Sequence, residues 1–144
     1  MEVQSPSENS SAVISDYIKQ RDIYLQNAED FYAKGRYRKS SEMLWGAITQ
    51  NIKALAATAD IKISSHEGFF KFMETISEEL NERYYYTEFL KINNLHRNFY
   101  DEFIPSETFD TVYSEAFRYL SELDELLKSR IKERTKKTST HAKR

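Results

Sequence analysis

The stretch from Ala28 to Ala57, AEDFYAKGRYRKSSEMLWGAITQNIKALAA, constrains this chain more than any other part of it. It holds two amphipathic helical patterns joined at Gly35, and the single tryptophan, Trp45. A left-handed residue ends a helix most cheaply when it is glycine, so the stretch reads as a helical hairpin. Its second helix, expected over residues 37–59, places Tyr37, Ser41, Leu44, Ile48, Ile52, Leu55 and Ala59 on one stripe, with Lys39, Glu42, Gln50 and Lys53 opposite. Gly46 stands mid-helix, where glycine costs about 1 kcal/mol relative to alanine. Close approach of another helix backbone beside Trp45 is the expected reason.

The rest of the chain adds helices to this hairpin. Upstream, Ile14, Ile18, Leu25, Ala28 and Tyr32 recur mostly at three- and four-residue steps behind a cap at Ser11 or Ser15, with Arg21 and Asp22 interrupting the stripe. Downstream, Ser64 and Glu67 form a capping-box pattern that opens a third helix carrying Phe69, Phe70, Phe72, Met73, Ile76 and Leu80. Near Tyr84 the period restarts, and a fourth helix aligns Tyr85, Phe89, Ile92, His96, Phe99 and Phe103. Pro105 stops it, and Ser106 caps a fifth helix with Phe109, Val112, Ala116, Leu120, Leu123, Leu127 and Ile131 in register. With Gly 3 and Pro 2 in 144 residues, the chain has little material for tight β-turns. The expected fold is all-α, an antiparallel up-and-down bundle of about five helices. It forms one domain over residues 12–132, between a mobile N-terminal arm at 1–11 and a basic, disordered tail at 133–144.

Charge and composition exclude several function classes. Lys+Arg 21 against Asp+Glu 23 leaves a net charge of -2, so nucleic acid binding has to come from a local patch. Without cysteine there is no disulfide, thiolate nucleophile or Cys-ligated zinc, which fits a cytoplasmic protein. No apolar run is long enough to span a membrane, and no positive region followed by an apolar core marks a signal peptide. No metal is expected, because the histidines lack a partner at i+4 or a helical Glu-x-x-His pattern. No cofactor is expected either, since each glycine stands alone and no loop cradles phosphate.

Ala28, Phe31, Tyr32, Gly35 and Tyr37, then Trp45-Gly46-Ala47, Lys53-Ala54, His66, Leu95-His96 and Asn98-Phe99-Tyr100, recur in an order that resembles the archaeal paralogous-repeat (PaREP) family, among the HEPN-like helical bundles. The resemblance spans about Ala28 to Tyr100. It implies a HEPN-like bundle, often a homodimer, in a family most of whose members have no assigned biochemical role. Active HEPN ribonucleases carry an Arg, four to six residues, then a His, at a dimer cleft. Here Lys91 stands where that arginine belongs before His96, and the one matching interval, Arg134 to His141, lies in the basic tail. Ala28, Phe31, Tyr32, Gly35 and Tyr37 also look like a tetratricopeptide unit, yet no second copy follows at a period of about 34 residues.

The candidate polar pocket is Lys53, His66, His96, Asn98 and Tyr100. In an up-and-down bundle the second and fourth helices run the same way, which puts Lys53 and His96 in one layer, near the end where His66 opens the third helix. The bland alternatives are that His96 is a buried imidazole satisfied by a neighbour and that Lys53 and His66 are solvated surface groups. Tyr84, Tyr85 and Tyr86, with Arg83 beside them, either stack on bases or pack partly buried at helix ends. The candidate nucleic-acid contacts are Arg130, Lys132, Arg134, Lys136 and Lys137. As a cationic arm they bind RNA or DNA phosphate; otherwise they only solubilise a terminus. The sequence therefore points to a non-catalytic HEPN-like binding or assembly module, a homodimer with RNA or a partner protein as its ligand. The alternatives are a divergent ribonuclease centred on His96 and a tetratricopeptide-like adaptor.

Overall fold

Gly35 ends the first helix at φ +73°. The Arg36 N–H donates back to the Phe31 carbonyl at 2.9 Å and the Gly35 N–H to that of Tyr32 at 3.0 Å, which uses up carbonyls a helix end leaves unpaired. The same closure recurs at Asp60 (φ 59°) and Asn81 (φ 51°), where Ile61 N–H reaches the Ala56 carbonyl and Glu82 N–H that of Ser77. A computed structural model describes residues 6–101 and 106–142. Five helices make up these residues: α1 (Pro6–Ala33), α2 (Tyr37–Ala57), α3 (His66–Leu80), α4 (Tyr84–Asp101) and α5 (Ser106–Ala142). The chain is an all-α bundle, as its periodicity requires.

Several local expectations shift. α1 begins at Pro6 rather than at Ser11 or Ser15; proline suits a first turn, where its missing N–H would have had no partner. α5 likewise runs past residue 132 to Ala142, so both boundaries drawn for the arm and the tail fall inside helices. Residues 1–5 and 143–144, and Phe103 and Pro105, lie outside the described residues. The cap of α3 is Ser65 instead of Ser64: its side chain accepts from Gly68 N–H at 3.1 Å, and Glu67 only adds favourable charge to the first turn. Gly46 makes room for a ring and not for a backbone, since a Cβ there would lie 3.2 Å from the Tyr24 side chain on α1.

α2 is the central element. Leu44, Ile48, Ile52 and Leu55 are buried as their stripe predicts, but so are Ser40, Ala47, Asn51 and Ala54 on a second face turned to α1. There Ser40 Oγ donates to the Ala28 carbonyl at 2.7 Å. Arg21, whose charge seemed to interrupt the stripe of α1, points inward along it with 13% of its side chain exposed. Its Nη1 donates to Asn51 Oδ1 at 2.8 Å and to Asp124 Oδ1 at 2.5 Å, joining α1, α2 and α5.

The pairings also set helix directions. Tyr37 stacks on Phe109 at 4.7 Å and Arg134 reaches the Thr58 carbonyl, so α2 and α5 run the same way. Tyr119 OH donates to the Tyr85 carbonyl and Lys91 pairs with Glu115, so α4 runs against α5. α4 therefore opposes α2, where strict alternation would align them. The difference arises between α2 and α3: the non-helical residues 61–64 turn back along α2, bringing Ile63 and Ser64 beside Lys53 before α3 starts.

Replacing Arg21 by methionine keeps the apolar stem and strands two acceptors. Urea unfolding of Arg21→Met is expected to show a loss of about 2 kcal/mol. Arg21→Lys should recover only part, because one ammonium on a flexible stem lacks the guanidinium's fixed fork. Equal stability for Arg21→Met would mean that the network contributes nothing to folding.

Candidate functional site

The expected pocket divides in two, and helix direction is the cause. Lys53 stands near the C-terminal end of α2, whereas His96, on an opposed α4, comes level with Trp45 two turns earlier. Lys53 and His66 do meet, in an open cleft of about 260 Å³ that they line with Ile63, Ser64, Ser65 and Phe69. The Lys53 ammonium sits 6.0 Å from the Tyr17 ring centroid and 5.9 Å from that of Phe69, where the negative faces of the rings favour a cation.

His96 lies in a separate, apolar cleft with Ser41, Leu44, Trp45, Ile48, Ile92, Phe109, Val112, Tyr113 and Ala116. Its volume of about 30 Å³ holds no more than about one water. The imidazole stacks on Trp45 at 5.1 Å and 16°. Trp45 in turn lies 5.5 Å from Phe89, Phe89 5.2 Å from Phe70, and Phe70 5.2 Å from His66. A row of five rings thus runs between the two clefts with a histidine at each end. Burial holds the His96 imidazole below its usual pKa; the Glu42 charge raises it in part and His66 lowers it further. The side chains of Asn98 and Tyr100 lie outside the described residues.

Lys91, in the place of the ribonuclease arginine, does not face His96. It forms an ion pair with Glu115 at 2.6 Å, which is the main cause of its raised pKa, and stands 3.9 Å from Glu88. Tyr84, Tyr85 and Tyr86 are all half-buried against the core, with Tyr84 edge-on to Tyr85 and Tyr119 and the Arg83 guanidinium 5.2 Å from the Tyr86 centroid.

Of the five basic residues expected to contact nucleic acid, Arg130 and Arg134 are engaged by other elements of the fold. Arg130 pairs with Glu79 on α3 at 3.3 Å. Arg134 donates to the Thr58 carbonyl at 3.0 Å and to Asp60 at 3.4 Å, capping the end of α2. Asp60 also accepts from the Ser10 hydroxyl. That bond, aided by Arg134, holds its carboxyl below the ordinary range. Lys132, Lys136 and Lys137 are exposed. Arg134's role was hidden because its partners lie some 75 residues earlier, and no local pattern announces them.

Among the described residues, no group of three His, Asp or Glu side chains is placed to hold a metal ion, and no helix is long and apolar enough to cross a membrane. Fold and site together define, among the described residues, a five-helix protein built around a buried second helix, with the half-buried His96 and the exposed His66 joined by an aromatic row. The model of the Archaeal PaREP1/PaREP8 family matches residues 16–121, and the chain belongs to that family. No curated protein matches the chain, and no solved structure matches it.

The lowered His96 pKa has a measurable sign. Between its folded value and the unfolded value near 6.5, the unfolded chain binds more protons, so stability falls as pH drops below about 6.5. In an NMR titration the His96 imidazole should show a midpoint below 6.5, moving up toward it when Trp45→Ala opens the cleft. A midpoint at or above 6.5 in the wild type would contradict the burial argument.

Proposed function

We propose that the chain is a binding or assembly module, homodimeric and RNA-associated, that carries out no turnover. The observation that carries this reading is the enclosure of His96: it is held face-on to Trp45 in an apolar cleft with room for about one water. Lys91, meanwhile, is committed to Glu115. A phosphodiester cannot be accommodated in that space, and general acid–base catalysis requires the reacting group within hydrogen-bond reach. The HEPN-like resemblance supports the homodimer. Lys132, Lys136 and Lys137, exposed at the far end of α5, support RNA association through phosphate contacts.

The mass in solution should be twice 17.1 kDa at both 50 and 200 mM salt. Single-stranded RNA should be retained at the lower salt and released at the higher. Replacing Lys132, Lys136 and Lys137 by glutamine should reduce the salt dependence of log Kd by about 2, at roughly 0.7 per phosphate contact. RNA should remain uncut by the wild type and by His96→Ala. Cleavage that disappears in His96→Ala would replace this reading with a ribonuclease, and a monomer would remove its assembly half.

A further inference from the structure

The turn between α1 and α2 carries an exposed cluster of positive charge. Lys34, Arg36, Arg38 and Lys39 fall within six residues, KGRYRK, and all are exposed. No acidic residue occurs from Phe31 to Ser41. Among the described residues no ion pair involves Lys34, Arg36 or Lys39. Lys34 is favourably placed at the end of α1, but Arg36, Arg38 and Lys39 crowd the start of α2. That end of a helix disfavours cations, and α2 has no acidic residue in its first turn. The cluster therefore opposes local stability.

The cationic heads are gathered rather than dispersed. The Arg36 guanidinium lies 5.5 Å from the Phe31 centroid and the Lys39 ammonium 5.6 Å from the same ring. Asp110 on α5 accepts from Tyr32 OH at 2.6 Å, a bond that pushes the Tyr32 pKa up to about 12.

We infer that this turn is a phosphate-binding surface for single-stranded RNA, separate from the lysines of α5. It rests on the RNA association proposed above and places a contact where that reading has none. Tyr37 lies at the Phe109 end of α2 and Thr58 at the Arg134 end, so the two basic regions stand about 30 Å apart at 1.5 Å per residue. RNA fits this surface better than an acidic protein does. Arginine forks bind phosphate in a bidentate manner, and a partly exposed ring bracketed by cations is a platform for unstacked bases. An acidic peptide would use the charges and leave Phe31 idle.

The test is fluorescence anisotropy with a 12-nucleotide single-stranded RNA and the full chain at 50 and 200 mM salt. The triple variant Lys34→Gln, Arg36→Gln, Lys39→Gln should weaken binding at least tenfold at 50 mM and lower the salt slope by about 2. The α5 triple variant should keep the turn's share. Lys39→Glu separates binding from folding: a carboxylate in the first turn of α2 should hold or raise the melting temperature while affinity for RNA falls. An unchanged Kd and slope in the turn variant, with loss confined to the α5 variant, overturns this inference and leaves the proposed function standing. Absence of RNA binding by the wild type overturns both. Polyglutamate of equal charge competing as well as RNA would make the partner an acidic protein and overturn the RNA assignment.

Discussion

Burial of α2 on two faces is the constraint from which the rest of the structure follows. A helix whose Leu44, Ile48, Ile52 and Leu55 face one way and whose Ser40, Ala47, Asn51 and Ala54 face another needs neighbours on both sides. α1 supplies one neighbour, and α4 and α5 supply the other. Each buried polar group on the second face then requires a partner, because an unpaired one costs about 1–3 kcal/mol. Ser40 finds the Ala28 carbonyl and Asn51 finds Arg21. Arg21 brings in Asp124, so the polar demand of α2 helps to position α5.

The helices were legible because each has at least one large apolar stripe and Gly35 marks a break. The second face of α2 was not, because it is built from alanine, serine and asparagine, which carry little hydropathy signal although their small size lets α1 come close. Arg21 misled for the opposite reason. A charge on an apolar stripe reads as an interruption until its partner is visible, and Asp124 lies 103 residues away. The caps show a finer limit: Ser64 and Ser65 offer equivalent capping acceptors in sequence, and only the course of the preceding segment decides between them.

The site was partly legible for a reason of parity. Membership of the apolar face was correctly assigned to His96, and Lys53 and His66 do share a cleft. What failed was the relative direction of two helices, which depends on how far residues 61–64 return along α2. Once α4 opposes α2, a histidine and a lysine expected in one layer are held apart by an aromatic row. The basic turn around Gly35 was readable as a charge run but was absorbed into the hairpin pattern. The surface inferred for it rests on position in the fold, where among the described residues no ion pair engages Lys34, Arg36 or Lys39.

Asp60 holds a left-handed backbone conformation that a non-glycine residue adopts at some cost, and its carboxylate gathers Ser10 from α1 and Arg134 from α5. Both partners lie beyond the family's shared span of residues 16–121, as do Asp124 and the buried Leu123 and Leu127. The matched span and the folded unit are therefore different lengths of the same chain. The family match covers the central hairpin and its nearest helices, while the clasp that closes this molecule draws on residues at both ends outside that match.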